Sequence, residues 1–291
     1  MDWFTNKFDW SFNEISRFSY CRPYTWHIQD TMDESKPVVL LIHGTGASTH
    51  SWRLLIPQLR EYFRVFAIDL PGHGFTKTKT HNRSSLEKIA EDLKTLLGKE
   101  DINPKLIIGH SAGAALAFRL ALDLETNQAS IISINGVLGN YFDGLSGFFY
   151  PIAAKALATN PFSAVVIAKI NQLTNQTRKI RELTGSKIDE KSLDYYSRLF
   201  SNSDHLYGTL AMMSQWSLNR LTTELIDFNQ ATLFLIGGND KMVEPKALKK
   251  YTHLVKRSKI EVEEHLGHLM HEESPDKICN YIFSFYKEIS S

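Results

Sequence analysis

The sequence of 291 residues is poor in cysteine and carries almost no net charge, and each shortage excludes a class of protein. Its two cysteines, Cys21 and Cys279, lie far apart and outside any C-x-x-C spacing, which argues against a disulfide-rich scaffold and against a zinc site. We expect free thiols in a reducing compartment, with a single disulfide as the alternative. Lys and Arg number 33 against 32 for Asp and Glu, so the net charge of +1 gives no electrostatic basis for binding nucleic acid.

Long apolar runs are also missing from the sequence. No segment reaches the roughly 18 to 20 apolar residues that a membrane-spanning helix needs. The N-terminal region mixes acids with aromatics and lacks the basic and apolar regions of a signal peptide. We therefore expect a cytoplasmic protein. Peripheral contact with a membrane stays open, because the stretch 145–170 is rich in apolar residues.

Short apolar runs alternate with helical segments over most of the chain. Ser84 and Glu87 form a capping box for one predicted helix, which Gly98 ends. Ser274 caps the last predicted helix, with Pro275 in its first turn. The alternation of predicted strands with predicted helices indicates an α/β fold with a mostly parallel central sheet and helices on both faces. Strands are predicted within 37–44, 63–74, 105–111, 129–136, 231–240 and 259–265, and helices over 51–62, 84–98, 112–125, 245–253 and 274–289.

The segment 137–225 departs from this alternation. It contains helical stretches and few strand signals, and a structureless loop of that length inside a domain would be unusual. We predict a core formed by residues 1–136 and 226–291, with a helical cap over 137–225 inserted late in the sheet.

The residues with chemical potential centre on LIIGHSAGAALAFRLAL, residues 106–122, where an apolar strand passes into a helix. Its GHSAG segment matches G-x-S-x-G, the nucleophile elbow, with the preceding strand and following helix that this motif requires. The small residues allow a tight turn that holds Ser111 in a strained backbone conformation and presents its hydroxyl above the sheet. The alternative is a chance match in a loop, which the flanking strand and helix disfavour.

A serine hydroxyl needs a base and an orienting acid to act as a nucleophile. In this arrangement the chain order is Ser, then Asp or Glu, then His. Asp240 ends the predicted strand LIGGND, and His268 lies in the loop before the last helix. We predict Ser111, Asp240 and His268 as a catalytic triad. The alternatives are a turn-forming role for Asp240, and His265 or His271 in place of His268.

Two backbone amides are candidates for an oxyanion hole. The segment HGTGAST, residues 43–49, follows the first predicted parallel strand, and its glycines free the backbone so that the N–H of Thr45 becomes one donor. The helix that starts after the serine supplies the other donor, the N–H of Ala112. No Lys-Ser or Lys-Thr pair follows these glycines, as a phosphate-binding loop would require.

The histidines of these motifs are interpreted as structural groups. His43, His73 and His110 are expected to form hydrogen bonds, and DLPGHGFT, residues 69–76, to shape a turn next to the site. No histidine pair has a carboxylate partner at a zinc-like spacing. We therefore expect neither a metal nor a cofactor.

Together these motifs resemble the α/β-hydrolase superfamily over nearly the whole chain. A narrower likeness also exists, because HGTGAST, DLPGHGFT, ELTGSKID, LAMMSQW and GHLMHEESP are similar to segments of the magnesium-chelatase accessory hydrolases of bacteriochlorophyll biosynthesis, the BchO type. The resemblance implies Ser111, Asp240 and His268 as the triad and a role in (bacterio)chlorophyll biosynthesis, with magnesium chelatase as a partner. It does not supply a chemical substrate.

Aromatic and methionine residues are concentrated in the predicted cap. Packing inside the cap is the ordinary explanation, but a lid above the site also offers one face to the ligand, and methionine adapts to irregular apolar shapes. We predict a bulky apolar substrate, such as an ester of a tetrapyrrole or a lipid. The predicted pocket residues are Phe148, Phe149, Met212, Met213 and Trp216, and Tyr150 and Phe162 are further aromatic residues of the same insertion.

Three functions stay open. The first is a serine esterase, and the second is a non-catalytic accessory protein that binds a porphyrin or magnesium chelatase. The third is hydrolytic C–C cleavage or cofactor-free peroxide chemistry with the same triad. An intact triad favours an enzyme, because a scaffold has no need for a strained elbow. Haloalkane dehalogenation is disfavoured, since that mechanism requires a carboxylate in place of Ser111.

Overall fold

The computed structural model describes residues 1–124, 129–139, 157, 160–174 and 176–290. The described strands form one sheet in the order β1-β2-β4-β3-β6-β7-β8-β9, with β5 paired to β2. The strands are β1 (Ser16–Cys21), β2 (Tyr24–Asp30), β3 (Val38–Ile42), β4 (Arg64–Ile68), β5 (Lys77–Thr78), β6 (Pro104–His110), β7 (Ser130–Ile134), β8 (Thr232–Gly237) and β9 (Ser258–Glu263).

Most of the sheet is parallel. Strand β3 pairs in parallel with β4 and β6, and the parallel pairing continues from β6 through β7 and β8 to β9. Strand β2 is antiparallel to β1, β4 and β5. The α/β class with a mostly parallel sheet is thereby confirmed.

Helices cover both faces of the sheet. The described α-helices are α1 (Trp3–Asn6), α2 (Ile56–Leu59), α3 (Leu86–Lys99), α4 (Ala112–Asp123), α5 (Pro161–Leu173), α6 (Gln176–Thr184), α7 (Glu190–Phe200), α8 (Ser203–Gln215), α9 (Asn219–Glu224), α10 (Pro245–Thr252), α11 (Met270–Glu273) and α12 (Pro275–Ser290). Short 3-10 helices occupy Asn13–Ile15, Thr49–Trp52 and Leu225–Asp227.

Successive side chains of a strand point to opposite faces of the sheet, so each strand contributes to two separate hydrophobic clusters. In β3, Leu40 and Ile42 are buried in a cluster with residues of α3 and α4. Val39 and Leu41 are buried in a second cluster with residues of α2 and α12. Because both faces are covered, the central strands read as continuous apolar runs in the sequence.

Two helix predictions are wrong in detail. The predicted helix over 51–62 is replaced by the 3-10 helix Thr49–Trp52 and the short α2. Pro57 is the reason, because proline lacks an N–H and is tolerated only in the first turn of a helix, where α2 places it.

The cap of α3 also differs from the prediction. The N-cap is Ser85, whose hydroxyl accepts from the N–H of Lys88, while the hydroxyl of Ser84 donates to His81 O. The helix continues past Gly98 to Lys99. At Gly98 no neighbouring segment lies within 4 Å of the Cβ position, so no close contact requires glycine there, and the helix continues past it at a cost of about 1 kcal/mol relative to alanine.

Between β7 and β8 the described part of the chain contains the five helices α5 to α9. This agrees with a helical insertion late in the sheet, and the bounds 137–225 stay a prediction. Within the described ranges, no helix combines the length and the apolar character needed to cross a membrane.

Candidate active site

Ser111 lies at a sharp turn between β6 and α4. Its backbone has φ 54° and ψ −121°, a conformation that L-residues rarely adopt. A Cβ at Gly109 would collide with the backbone of Gly113, and one at Gly113 would collide with the backbone oxygen of Ile42. Both glycines are therefore required for the close approach of strand and helix, and the turn presents the serine at the carboxyl end of the sheet.

Asp240 and His268 are directly hydrogen-bonded. The distance between His268 Nδ1 and Asp240 Oδ2 is 2.8 Å, and both residues are buried. The other carboxylate oxygen of Asp240 accepts from the backbone N–H groups of Met242 and Val243, both at 2.8 Å. The carboxylate is thus held in place, and with Nδ1 as the donor, Nε2 of His268 is the ring nitrogen left to act as a base.

The loop that carries His268 is tied to the elbow. His110 Nε2 donates to the backbone oxygen of His268 at 2.9 Å, and the two rings lie 4.7 Å apart between centroids. Among the described residues, no hydrogen bond joins Ser111 Oγ to the imidazole of His268. Such contacts are often long in the absence of substrate and shorten in the reacting complex.

The alternatives to His268 occupy different environments. His265 is exposed, and His271 is buried with its Nε2 at 2.7 Å from Ser51 Oγ. Burial lowers the pKa of His271 to about 3, so it stays neutral. Of the three histidines, His268 is the one hydrogen-bonded to Asp240 in the described structure.

The predicted oxyanion loop lies against the serine. A Cβ placed on Gly44 would be 2.9 Å from Ser111 Cβ, so the backbone of this loop packs directly on the elbow. Ala112 is the first residue of α4, where the helix leaves backbone N–H groups without internal acceptors. The hydroxyl of Thr45 contacts the sulfur of Met212 in α8 at 3.8 Å, which connects the loop to the inserted helices.

The segment DLPGHGFT forms a turn that supports this loop, as predicted. Asp69 is buried, and its carboxylate accepts from the backbone N–H groups of Thr49 and Phe75 at 2.7 and 2.8 Å. It also contacts His27 Nδ1 at 2.8 Å. Burial opposes the ionisation of this group, but the His27 and His43 imidazoles and the hydrogen bonds lower the pKa of Asp69 below its usual range.

The histidines of the motifs form structural hydrogen bonds, as predicted. His43 Nε2 accepts from the N–H of Leu70 at 2.9 Å, and His73 Nδ1 lies 3.1 Å from Pro71 O. Burial lowers the pKa of His43, His73 and His110.

Asn135 is not among the site residues predicted from the sequence. It follows β7 with φ 45° and is buried. Its Nδ2 donates to the backbone oxygens of Gly267 and His268 at 2.9 and 3.0 Å, and its Oδ1 accepts from the N–H of Gly237 at 2.7 Å. It therefore ties together the ends of β7 and β8 and the histidine loop. A polar residue at the end of an apolar strand, before glycine, is the only signal in the sequence.

The predicted pocket residues are only partly placed. Met212 is buried in the same cluster as Ala112, and Trp216 packs against that cluster. Met213 is half-buried, and Phe162 is 73% exposed on α5. Phe148, Phe149 and Tyr150 lie outside the described residues. A wall of the site made by α8 is consistent with these positions, while Phe162 faces solvent rather than a pocket.

Comparison with known proteins identifies the architecture. Residues 37–275 match the family described as the alpha/beta hydrolase fold. The chain belongs to this family. Among relatives of this α/β-hydrolase, the magnesium-chelatase 30 kDa subunit of Rhodobacter capsulatus is 34% identical over 281 residues, which cover 95% of this chain and 96% of that protein. Epoxide hydrolase 4 of Homo sapiens is 24% identical, covering 90% and 76% of the two chains.

Solved structures share the fold at lower sequence identity. A putative lipase from Acinetobacter baumannii superposes with a TM-score of 0.78 at 19% identity, covering 94% of this chain and 91% of that chain. The epoxide hydrolase CorEH has a TM-score of 0.75 at 18% identity, covering 94% and 99%. Within the described part of this α/β-hydrolase, no group of three or more His, Cys, Asp or Glu side chains is arranged to hold a metal.

Proposed function

We propose that this protein is a serine hydrolase that cleaves a bulky apolar ester in (bacterio)chlorophyll biosynthesis. The observation that carries the proposal is the Asp240–His268 hydrogen bond at 2.8 Å, formed next to the strained elbow of Ser111. A carboxylate that fixes one imidazole tautomer beside an elbow serine is the arrangement that acyl transfer requires.

In this mechanism Ser111 Oγ attacks the ester carbonyl carbon while His268 Nε2 takes the hydroxyl proton. Asp240 orients the ring and stabilises the imidazolium that forms. The backbone N–H groups of Thr45 and Ala112 stabilise the oxyanion of the tetrahedral intermediate. The intermediate collapses as the imidazolium returns the proton to the departing alcohol, which leaves an acyl group on Ser111. Water activated by His268 then releases the carboxylic acid and restores the serine.

The proposed substrate class rests on the inserted helices. Met212 contacts the hydroxyl of Thr45, so α8 borders the position where the reacting carbonyl would bind. The flexible thioether side chain of Met212 can adapt to a large apolar group of irregular shape. Esters of tetrapyrroles and of lipids both have this character, and the first of them agrees with the name of the Rhodobacter capsulatus relative.

An accessory role is the second candidate, and it is favoured by the relative that is named as a subunit of magnesium chelatase. In that case the chain would bind the chelatase or a porphyrin on a hydrolase scaffold. The two candidates differ in one property, the reactivity of Ser111.

Labelling with a fluorophosphonate probe separates the two candidates. We expect the folded wild-type protein to react, because an activated serine attacks the phosphorus centre, and we expect Ser111→Ala to remain unlabelled at equal circular dichroism and melting temperature. The measurement is gel fluorescence of the two proteins side by side. An unlabelled, folded wild-type protein would favour the accessory role.

The proposal includes peripheral contact with an anionic bilayer through α5. Phe162, Val166 and Ile170 are spaced along one face of this helix and are 73%, 55% and 50% exposed. The sequence from 144 to 181 also contains five Lys or Arg residues and no Asp or Glu. An exposed apolar face within a basic segment suits the surface of an anionic membrane.

Sedimentation with vesicles tests this contact. We expect the wild-type protein to bind phosphatidylglycerol vesicles more tightly than phosphatidylcholine vesicles, and Val166→Asp to weaken the binding about tenfold, because it removes apolar area and introduces a negative charge. Ile226→Asp is the matched control, since Ile226 is 52% exposed in a different part of the fold. Equal losses in both variants, or no binding by the wild-type protein, would argue against contact through α5.

A further inference from the structure

A turn of the inserted helices lies against the loop that carries His268. This TGSK turn, residues 184–187, connects α6 to α7. The backbone N–H of His268 donates to the oxygen of Thr184 at 2.9 Å. The next N–H along the loop, that of Leu269, donates to Ser186 Oγ at 2.8 Å. Two successive amides of the histidine loop are therefore satisfied by the inserted helices and not by the core.

The same turn also contacts the loop that carries Asp240. Asn239 Nδ2 donates to the backbone oxygen of Gly185 at 2.7 Å. A Cβ at Gly185 would collide with the backbone oxygen of Asn239, and a Cβ at Gly267 would be 2.5 Å from the carbonyl carbon of Gly185. The backbone of the TGSK turn thus fills the space between the acid loop and the histidine loop.

A carboxylate joins the turn to the histidine loop a third time. Glu273 in α11 accepts from the N–H of Gly267 at 2.7 Å through one oxygen and from the N–H of Lys187 at 3.0 Å through the other. The residue before His268 and the last residue of the TGSK turn are held by one side chain.

An ordinary helix end explains only part of this arrangement. Gly185 follows the last residue of α6 with φ +70°, and its N–H donates to Arg181 O at 3.0 Å, as glycine commonly does after a helix. Helix termination does not require the close packing against Asn239 and Gly267, nor the bond from Ser186 to the histidine loop.

We propose that the TGSK turn positions the Asp240–His268 pair, with Gly185 and Ser186 as positioning residues that do not touch substrate. The inference rests on the proposed hydrolase function. It also assigns a second task to the inserted helices, which would otherwise serve only to cover the substrate. If all the inserted helices moved away from the core together, the hydrogen bonds between the TGSK turn and the loops of Asp240 and His268 would break. We therefore expect the TGSK turn to stay in place when the site opens to substrate.

The test compares Ser186→Ala and Gly185→Ala with the wild-type protein. Gly98→Ala is the matched control, because no atom lies within 4 Å of the Cβ position of Gly98. The first readout is the low-field proton resonance of His268 Nδ1–H in the bond to Asp240, assigned by its loss in His268→Gln. The bond between His27 and Asp69, also 2.8 Å long, provides an internal reference in the same spectrum. The second readout is the rate and pH dependence of fluorophosphonate labelling.

We expect the His268 resonance to shift or broaden in both variants while the His27 signal stays unchanged. Labelling should slow about tenfold in Ser186→Ala and about a hundredfold in Gly185→Ala, since small displacements of catalytic groups have effects of this order. If Gly185→Ala does not fold, Ser186→Ala decides. An unchanged resonance and an unchanged pH profile in a folded variant would overturn the positioning role. A wild-type protein that shows the resonance but does not label would instead refute the hydrolase function.

Discussion

Replacing Asp240 with asparagine is expected to lower kcat/KM for ester hydrolysis by about 10⁴-fold, the loss found when the acid of a serine triad is replaced in this way. The amide keeps the shape of the side chain but removes the charge that stabilises the imidazolium. The amide oxygen is expected at the Oδ1 position, which accepts from the N–H groups of Met242 and Val243, so the NH2 group faces His268 Nδ1 and disfavours the tautomer that leaves Nε2 free. The measurement is the steady-state hydrolysis of a p-nitrophenyl ester by the two proteins under the same conditions.

Asp227→Asn is the matched control for this substitution. It makes the same change of charge and shape at a residue that is exposed. We expect its kcat/KM to equal that of the wild-type protein. Equal activity of Asp240→Asn and Asp227→Asn would show that Asp240 does not orient the base, and the carboxylate partner would then have to be sought elsewhere.

Mild acid is expected to destabilise the protein strongly, because neutral histidines are buried in it. Burial lowers the pKa of His73 and His271 to about 3 and lowers the pKa of His50, His110 and His205 well below 6.5. In the unfolded chain these imidazoles take up protons below about pH 6.5. The unfolded state therefore binds more protons, and the free energy of unfolding falls as the pH falls below that value.

The size of this effect is comparable to the whole stability of a domain. At pH 5 each imidazole that stays neutral in the folded state and is protonated in the unfolded state costs about 2 kcal/mol. Five such groups give about 10 kcal/mol, against a typical stability of roughly 5 to 15 kcal/mol. We expect most of the stability to be lost by about pH 5.

One buried carboxyl group acts in the opposite direction. Burial raises the pKa of Glu272 to about 7, although Tyr196 donates to it at 2.8 Å and Ser51 at 3.1 Å. Its contribution to stability is complete below about pH 4.5 and is lost as the pH rises through 7. With this group subtracted, unfolding near pH 5.5 should take up about four protons.

The dependence of the unfolding free energy on pH, from urea titrations between about pH 5 and 7, measures this number. We expect His50→Asn to reduce the proton uptake by about one, and His265→Asn, which alters an exposed histidine, is the control substitution. A stability that is flat between these pH values would contradict the neutral state of the buried imidazoles.

The parallel part of the fold could be predicted from the sequence because each buried strand reads as an apolar run that ends in glycine or a turn. β1 and β2 could not be recognised in this way. Polar residues interrupt their apolar runs. In β1 Ser19 is buried and Phe18 is exposed, the reverse of the usual pattern, and in β2 His27 and Gln29 are buried with hydrogen bonds to other parts of the chain. The two helix errors had local causes, a proline at position 57 and a second serine next to Ser84.

The candidate site likewise contains residues that the local sequence reveals and residues that it does not. The elbow was visible because its glycines and serine are adjacent in the sequence. Asp240 and His268 could be chosen because the order of the triad residues limits where they lie. Asn135 and the TGSK turn were not visible as parts of the site, because their contacts join segments that are 54 or more residues apart in the chain. Only folding brings such segments together.

The most direct test of the triad is a crystal structure of the protein after reaction with a fluorophosphonate. We expect the phosphorus on Ser111 Oγ, its non-bridging oxygen about 2.7 to 3.1 Å from the N–H groups of Thr45 and Ala112, and His268 Nε2 within about 3.2 Å of the serine oxygen or the departing-group position. An adduct on another residue, or an imidazole turned away from the serine with no conformer that reaches it, would contradict the proposed convergence of these residues.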